Sequence, residues 1–238
     1  KTAAKNFTDT VLAGDYAQYV QIAVVSYSGL AKTDIAFSND KDKIKAAIDK
    51  IPLNDSYTDN PGTNIQHGIR TAQQLLDTVS VKNELMIVLT DGEPNYAYKN
   101  YATYAKISDI WAPGTQVSKS DAEAYNIDRN YFPKLYKASD FKYDQSPKSD
   151  NNVLPKTVSE AFFAKKAGTI IYAIGYEIGV NSNEEKVMKS VASKGKYSAA
   201  STEGITGVFD DIAKEITTYT AYNAVVTDPM GAGFTDIQ

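Results

Sequence analysis

Two oxygen-bearing side chains stand where a cation could use both. Leu85-Met-Ile-Val-Leu-Thr has the pattern of a buried strand and runs directly into Asp91-Gly-Glu-Pro-Asn. A carboxylate therefore stands where a strand gives way to a tight turn. Upstream, Asn60-Pro-Gly-Thr-Asn-Ile places Thr63 just ahead of an amphipathic segment, where a hydroxyl would face the same lip. A carboxylate and a hydroxyl converging there suit a hard divalent cation, Mg²⁺ or Mn²⁺. Each residue also has an ordinary reading, Thr63 as a helix N-cap and Asp91-Gly as a simple turn.

The rest of the inventory narrows the chemistry. The chain has no cysteine and one histidine, His67, which a helical wheel places opposite Ile65 and Ile69 and hence in solvent. No ordinary nucleophile-base pair can be assembled, and an acyl-transfer hydrolase is excluded on that ground. A phosphoryl-transfer or metal-assisted hydrolytic enzyme built on Asp91 is the rival reading. It lacks a Gly-x4-Gly-Lys-Ser/Thr loop and a second carboxylate paired on a neighbouring strand end. A purely structural domain is the third reading. The 25 basic and 29 acidic residues leave a net charge of -4, which gives no reason to expect nucleic acid or an anionic membrane as partner. No run reaches the roughly 18 apolar residues of a membrane span, so membrane insertion is not expected.

Positioning Thr63 and Asp91 requires strands and helices in alternation. Val20–Tyr27, Leu85–Leu89 and Ile170–Ile174 are apolar runs of the kind covered on both faces. Between and after them, amphipathic segments carry Ile44, Ile48 and Ile51; Ile65, Ile69, Ala72, Leu76 and Val79; a stretch after Asn183; and Ile205, Val208, Ile212, Ile216 and Tyr219. This pattern predicts an α/β, doubly wound, mostly parallel sheet. Thr33–Phe37 is too near the preceding strand for a crossover and should return as an antiparallel edge, with Lys196–Ser201 as the last strand. Ligands of such sheets bind at the carboxyl ends of the strands, after Tyr27, Leu89 and Tyr176.

Residues 94–156 break the rhythm and are expected to form an inserted arm. They hold eight of the 17 tyrosines and the one tryptophan, Trp111, which is too aromatic for a disordered linker. The aromatics could build a private core or face outward as recognition anchors. An arm that leaves at Glu93 borders the lip, which makes Glu93, Tyr96 and Trp111 candidate ligand-binding residues. The first residue is Lys1, and Ala4, Phe7, Val11 and Leu12 already show helical spacing without a cap. The Val225-Val-Thr-Asp-Pro-Met-Gly-Ala-Gly-Phe tail reads as a short strand and turn. Both ends are read as cuts through a longer polypeptide, with residues 1–222 as the domain and 223–238 as the start of a following segment.

Pro61-Gly-Thr-Asn-Ile before a helix, then a buried strand ending Leu89-Thr-Asp-Gly-Glu-Pro, resembles the von Willebrand factor A family. Val24-Val-Ser-Tyr-Ser and Ile171-Tyr-Ala-Ile-Gly-Tyr extend the resemblance over nearly the whole chain outside the arm. The resemblance implies a Rossmann-like fold and a metal-ion-dependent adhesion site (MIDAS). In that site Thr63 and Asp91 would be the second and third parts, each ligating the cation directly or through water. The family's first part, an Asp-x-Ser-x-Ser run ending the first strand, occurs nowhere in these residues. Loss of that central strand should leave neighbouring strand edges unpaired and apolar surface open, unless a segment outside the sequence supplies it. Two donors out of the usual six imply weak or no metal binding by this chain alone. In pilus tip adhesins of Gram-positive bacteria similar insertions flank the site, and the tail looks like entry into an immunoglobulin-like stalk. The resemblance thus implies an extracellular, cell-wall or pilus adhesion module. Its partners would be a host matrix or cell-surface protein and other pilus subunits, and its activity would be binding rather than catalysis.

Overall fold

A computed structural model describes residues 1–52, 62–98, 141–143 and 153–222. The element order is α1 (Thr2–Val11), β1 (Ile22–Tyr27), β2 (Ala31–Ser38), α2 (Lys41–Lys50), α3 (Ile65–Leu76) and β3 (Leu85–Thr90). There follow β4 (Tyr96–Tyr98), β5 (Phe141–Tyr143), α4 (Val153–Lys166), β6 (Ile170–Tyr176), α5 (Asn183–Val191), β7 (Tyr197–Ala200) and α6 (Ile205–Tyr222). A 3₁₀ stretch, Gly14–Tyr19, joins α1 to β1.

β6 is central in a parallel trio, paired to β3 from Leu85↔Ile170 to Thr90↔Gly175 and to β7 from Ala173↔Tyr197 to Tyr176↔Ala200. Alternation along these strands feeds two cores, because successive side chains leave opposite faces. Met86, Val88, Ile171 and Ala173 pack under α3, α4 and α5 with Ile65, Ile69, Val158, Ala161 and Val187. Leu85, Ile87, Tyr172 and Ile174 point the other way, to Phe7 and Val11 of α1 and Phe209, Ile212 and Ile216 of α6. Phe7 and Phe209 meet edge to face, with ring centroids 5.7 Å apart. The doubly wound architecture expected from the strand-helix alternation is the one observed. β2 is antiparallel to β1, and β7 is the last parallel strand, as anticipated.

β1 and β2 form a pair of their own, with no backbone ladder to β3 among the described residues. Between β1 and β3 lies a cavity of about 220 Å³, lined by Ile22, Ala23 and Val25 on one side and by Leu85, Ile87 and Val88 on the other. Its effect is visible in exposure: β6, paired on both sides, is buried from Ile171 to Gly175, whereas every residue of β1 is only half-buried. Leu89 of β3 is 40 % exposed.

Two features depart from the sequence reading. α4 begins at Val153, inside the span assigned to the insertion, and no amphipathic stripe announces it. It is buried on every side from Val153 to Ala161, so the polar face by which a surface helix is recognised does not exist. The insertion also begins as structure: β4 pairs antiparallel with β5, Tyr96 with Tyr143 and Tyr98 with Phe141. Trp111 and residues 223–238 lie outside the described residues.

Candidate functional site at the carboxyl rim

Three loops converge at the carboxyl ends of β1 and β3, and Asn64 stitches two of them. Its backbone N–H donates to the Ser28 carbonyl at 2.7 Å and its side-chain amide donates to the Gly29 carbonyl at 3.0 Å. Its Oδ1 accepts from the His67 N–H at 3.0 Å, so Asn64 caps α3. The capping role open to Thr63 is thus filled by its neighbour, and the Thr63 hydroxyl is left for the rim.

Asn95 ties in the third loop. The Thr63 N–H donates to the Asn95 side-chain oxygen at 2.7 Å, and the Asn95 N–H donates back to the Thr63 carbonyl at 3.0 Å. Tyr96 adds its own N–H to that carbonyl at 3.3 Å. The ring of Tyr96 lies over Gly62, where a Cβ would come within 2.3 Å of Cε2. Gly62 also holds φ at +148°, which other residues rarely adopt. The approach of the two loops therefore depends on a glycine at this point.

Asp91 leaves β3 beside this clasp. Thr90 makes the turn with its hydroxyl, which donates to the Gly92 carbonyl at 3.1 Å and accepts from the Gly92 N–H at 3.3 Å. A Cβ on Gly92 would stand 3.6 Å from the Thr63 Oγ1, so the threonine hydroxyl lies on the side of Gly92 that a side chain would occupy, one residue from Asp91. Asp91 itself is exposed. The Tyr27 hydroxyl donates to the Leu89 carbonyl at 2.5 Å across the mouth of the cavity. Burial drives the Tyr27 phenol above its ordinary range, a hydrogen bond with Thr90 opposes this, and the Asp91 charge pushes the same way as burial. The Asp91 carboxylate thus acts on the end of β1 as well as the end of β3.

The structure brings Thr63, Asp91 and Tyr96 to one rim. Glu93 is half-buried with one carboxylate oxygen fully enclosed. Asn64 and Asn95 were missed by the sequence reading, although both flank the motifs that drew attention. Among the described residues, no group of three or more histidine, cysteine, aspartate or glutamate side chains could hold a metal ion.

His67 corrects an expectation. It is 7 % exposed rather than solvated, and its Nδ1 accepts from the Ala31 N–H at 2.9 Å. Burial, assisted by the Arg70 charge and opposed by Glu160, lowers its pKa to about 4. The wheel failed because both faces of α3 are covered: Gln66, His67, Ile69 and Arg70 are all buried. Arg70 and Glu160 of α4 form a two-pronged ion pair on that second face, with Nη2 donating to Oε2 at 2.7 Å and Nε to Oε1.

The von Willebrand factor type A domain model matches residues 1–211. The chain belongs to the von Willebrand factor type A domain family. Among solved structures, this domain is similar to the vWF domain of the type V pili tip protein Mfa5 from Porphyromonas gingivalis. That likeness has 20 % identity and a TM-score of 0.68 over 94 % of this chain and 89 % of that one. It is similar to the pilus adhesin SpaC from Lactobacillus rhamnosus GG, at 18 % identity and TM-score 0.64, covering 92 % of this chain and 27 % of that chain. The PilB minor pilin from Streptococcus sanguinis is similar at 19 % identity and TM-score 0.61, over 94 % and 55 % respectively. The chain therefore spans about a quarter of that adhesin and about half of that pilin. At these identities the likeness establishes the fold. No curated protein matches the chain.

Proposed function

We propose that this vWA domain is a cell-surface adhesion module of the MIDAS type. It binds a protein ligand at the carboxyl rim, where the Thr63 hydroxyl and the Asp91 carboxylate would hold Mg²⁺ or Mn²⁺. The cation would supply a Lewis-acidic position for an acidic side chain of a host matrix or cell-surface protein. The observation that supports this reading is the approach of Thr63 Oγ1 to Gly92, the residue that follows an exposed Asp91. Both are oxygen donors, the chemistry that hard cations take. Two donors are few, so residues 1–238 alone should retain the ion weakly. The reading is one of binding, since the only histidine is buried, near neutral, and engaged with the Ala31 N–H.

The similar structures point to location and further partners. They are described as a pilus tip protein, a pilus adhesin and a minor pilin, which supports a pilus or cell-wall setting outside the cell, with other pilus subunits as neighbours. No helix among the described residues is long and apolar enough to cross a membrane. The test is calorimetric titration of Mg²⁺ and Mn²⁺ into the natural polypeptide that includes this domain and the residues upstream of it. This is paired with binding of the same protein to immobilised matrix proteins, with and without a chelator. Metal-dependent binding that Asp91→Ala abolishes without lowering thermal stability is the expected result. Adhesion indifferent to both chelator and Asp91→Ala would sink the proposal.

A further inference from the structure

Thr63 and Asn64 are consecutive, yet they are anchored to different loops. Asn64 is tied to the loop after β1, through the Ser28 and Gly29 carbonyls. Thr63 is tied to the loop after β3, and its bonds there are made by its backbone. The Thr63 N–H donates to Asn95 Oδ1, and the Thr63 carbonyl accepts from the N–H groups of Asn95 and Tyr96. Both backbone groups of residue 63 are thus held by the segment that follows Asp91, and neither bond uses the hydroxyl. A Cβ at position 62 would stand 3.0 Å from Asn95 Oδ1, so the glycine makes room for this side chain as well as for the Tyr96 ring.

The turn from Asp91 to Asn95 is constrained along its length. The Thr90 hydroxyl bonds both backbone groups of Gly92. Pro94 is buried and its ring fixes φ, while the residue before it, Glu93, is confined to extended backbone. From the end of this turn the Asn95 side chain reaches the Thr63 N–H at 2.7 Å. Threonine is branched at Cβ, so its χ1 is restricted by its own backbone. Whatever fixes the N–H and carbonyl of Thr63 therefore also fixes the direction of its Oγ1.

We infer that Asn95 is a positioning residue of the rim: by holding the Thr63 peptide, it sets the direction of the Thr63 hydroxyl relative to Asp91. Asn95 itself touches no ion and acts through Thr63. Its effect on a bound cation rests on the reading of the rim proposed above, whereas the aim of the hydroxyl does not. β4 begins at the next residue, so the excursion leaves the domain directly from this clasp.

The test compares the parent, Asn95→Ala and Asn95→Asp in the natural polypeptide that includes this domain and the residues upstream of it. Asn95→Asp keeps an acceptor at the Oδ1 position. In the isotopically labelled, cation-free proteins, scalar couplings to the Thr63 methyl carbon report χ1, and the Thr63 amide shift reports the bond to residue 95. The parent and Asn95→Asp should show a single rotamer and a downfield amide, and Asn95→Ala an averaged rotamer and an upfield amide. Calorimetric titration with Mn²⁺ should give affinity at least about tenfold weaker for Asn95→Ala, with Asn95→Asp within about threefold of the parent or tighter. Ser182→Ala, which removes the cap of α5, supplies a destabilised control whose Mn²⁺ affinity should match that of the parent. Unchanged Thr63 couplings in Asn95→Ala would overturn the proposal, as would a loss of affinity that Ser182→Ala shares. Parent-like Mn²⁺ affinity in Asn95→Ala would overturn it too, while leaving the cation site itself standing. A parent that takes up no cation would sink the cation reading alone, and the Thr63 couplings would then decide the positioning role by themselves.

Discussion

Replacing Glu160 by glutamine asks how much of this domain rests on one buried charge pair. Glu160 is 1 % exposed and Arg70 2 %, and the guanidinium addresses both carboxylate oxygens. Glutamine keeps the volume but removes the charge and turns one amide N–H₂ toward a group that can only donate. Arginine cannot lose its proton, so the uncompensated charge remains, and removing one partner of such a pair costs about 3–5 kcal/mol. At roughly 2–4 °C per kcal/mol for a chain of this size, the midpoint should fall by about 6–20 °C. Urea and thermal unfolding followed by far-UV circular dichroism measure both quantities. The Arg70→Met, Glu160→Leu double substitution should recover most of the loss, since an apolar pair leaves no uncompensated charge. The pair joins α3 to α4, and α3 carries Asn64 and Thr63 at its head, so the rim loses its support as well. A Glu160→Gln protein within 1 kcal/mol of the parent, with no gain in the double variant, would refute this account.

Further outcomes follow from the same geometry. His67 stays neutral in the folded protein down to about 4, against an ordinary 6.5, so the unfolded chain binds the proton first as pH falls. Stability should therefore be full above pH 6.5, drop by about 2 kcal/mol at pH 5, and reach its full loss of about 3 kcal/mol below pH 4. His67→Asn, which keeps an acceptor for the Ala31 N–H, should flatten that part of the profile in urea titrations at stepped pH. Asn64→Ala removes a cap and the amide that holds Gly29, and should cost about 1–2 kcal/mol in the same assay. Gly62→Ala forces an unfavourable φ and drives a methyl into the Tyr96 ring. It should cost about 1–3 kcal/mol and shift the Tyr96 resonances, and an unchanged spectrum would contradict the packing described.

Most of the framework was legible because its strands obey simple patterns. Ile170–Ile174 reads as a doubly covered strand and lies within one, Ile170–Tyr176, and Thr33–Phe37 was too close to its predecessor to be anything but antiparallel. Thr63 and Asp91 were visible because each sits at a junction of element types, and the fold then dictates that such junctions share a rim. What escaped notice is what burial hides. α4 has no polar stripe to betray its period, and His67 looked solvated only because a second helix covering α3 cannot be foreseen from α3 itself. Arg70 and Glu160 lie 90 positions apart and meet only once α3 and α4 pack, so neither residue carries a local sign of the other. Asn64 and Asn95 act through backbone groups of other loops, and no spacing rule encodes such contacts.

The short β4–β5 pair has an architectural consequence. By pinning the two stems of the excursion together, it shows the body of the domain a constant pair of attachment points. The entropy of closing a loop grows only by about 0.6 kcal/mol for each doubling of length, so a change in the number of residues between the stems costs little in closure entropy. The pairing thus fixes where the chain leaves the domain and where it comes back.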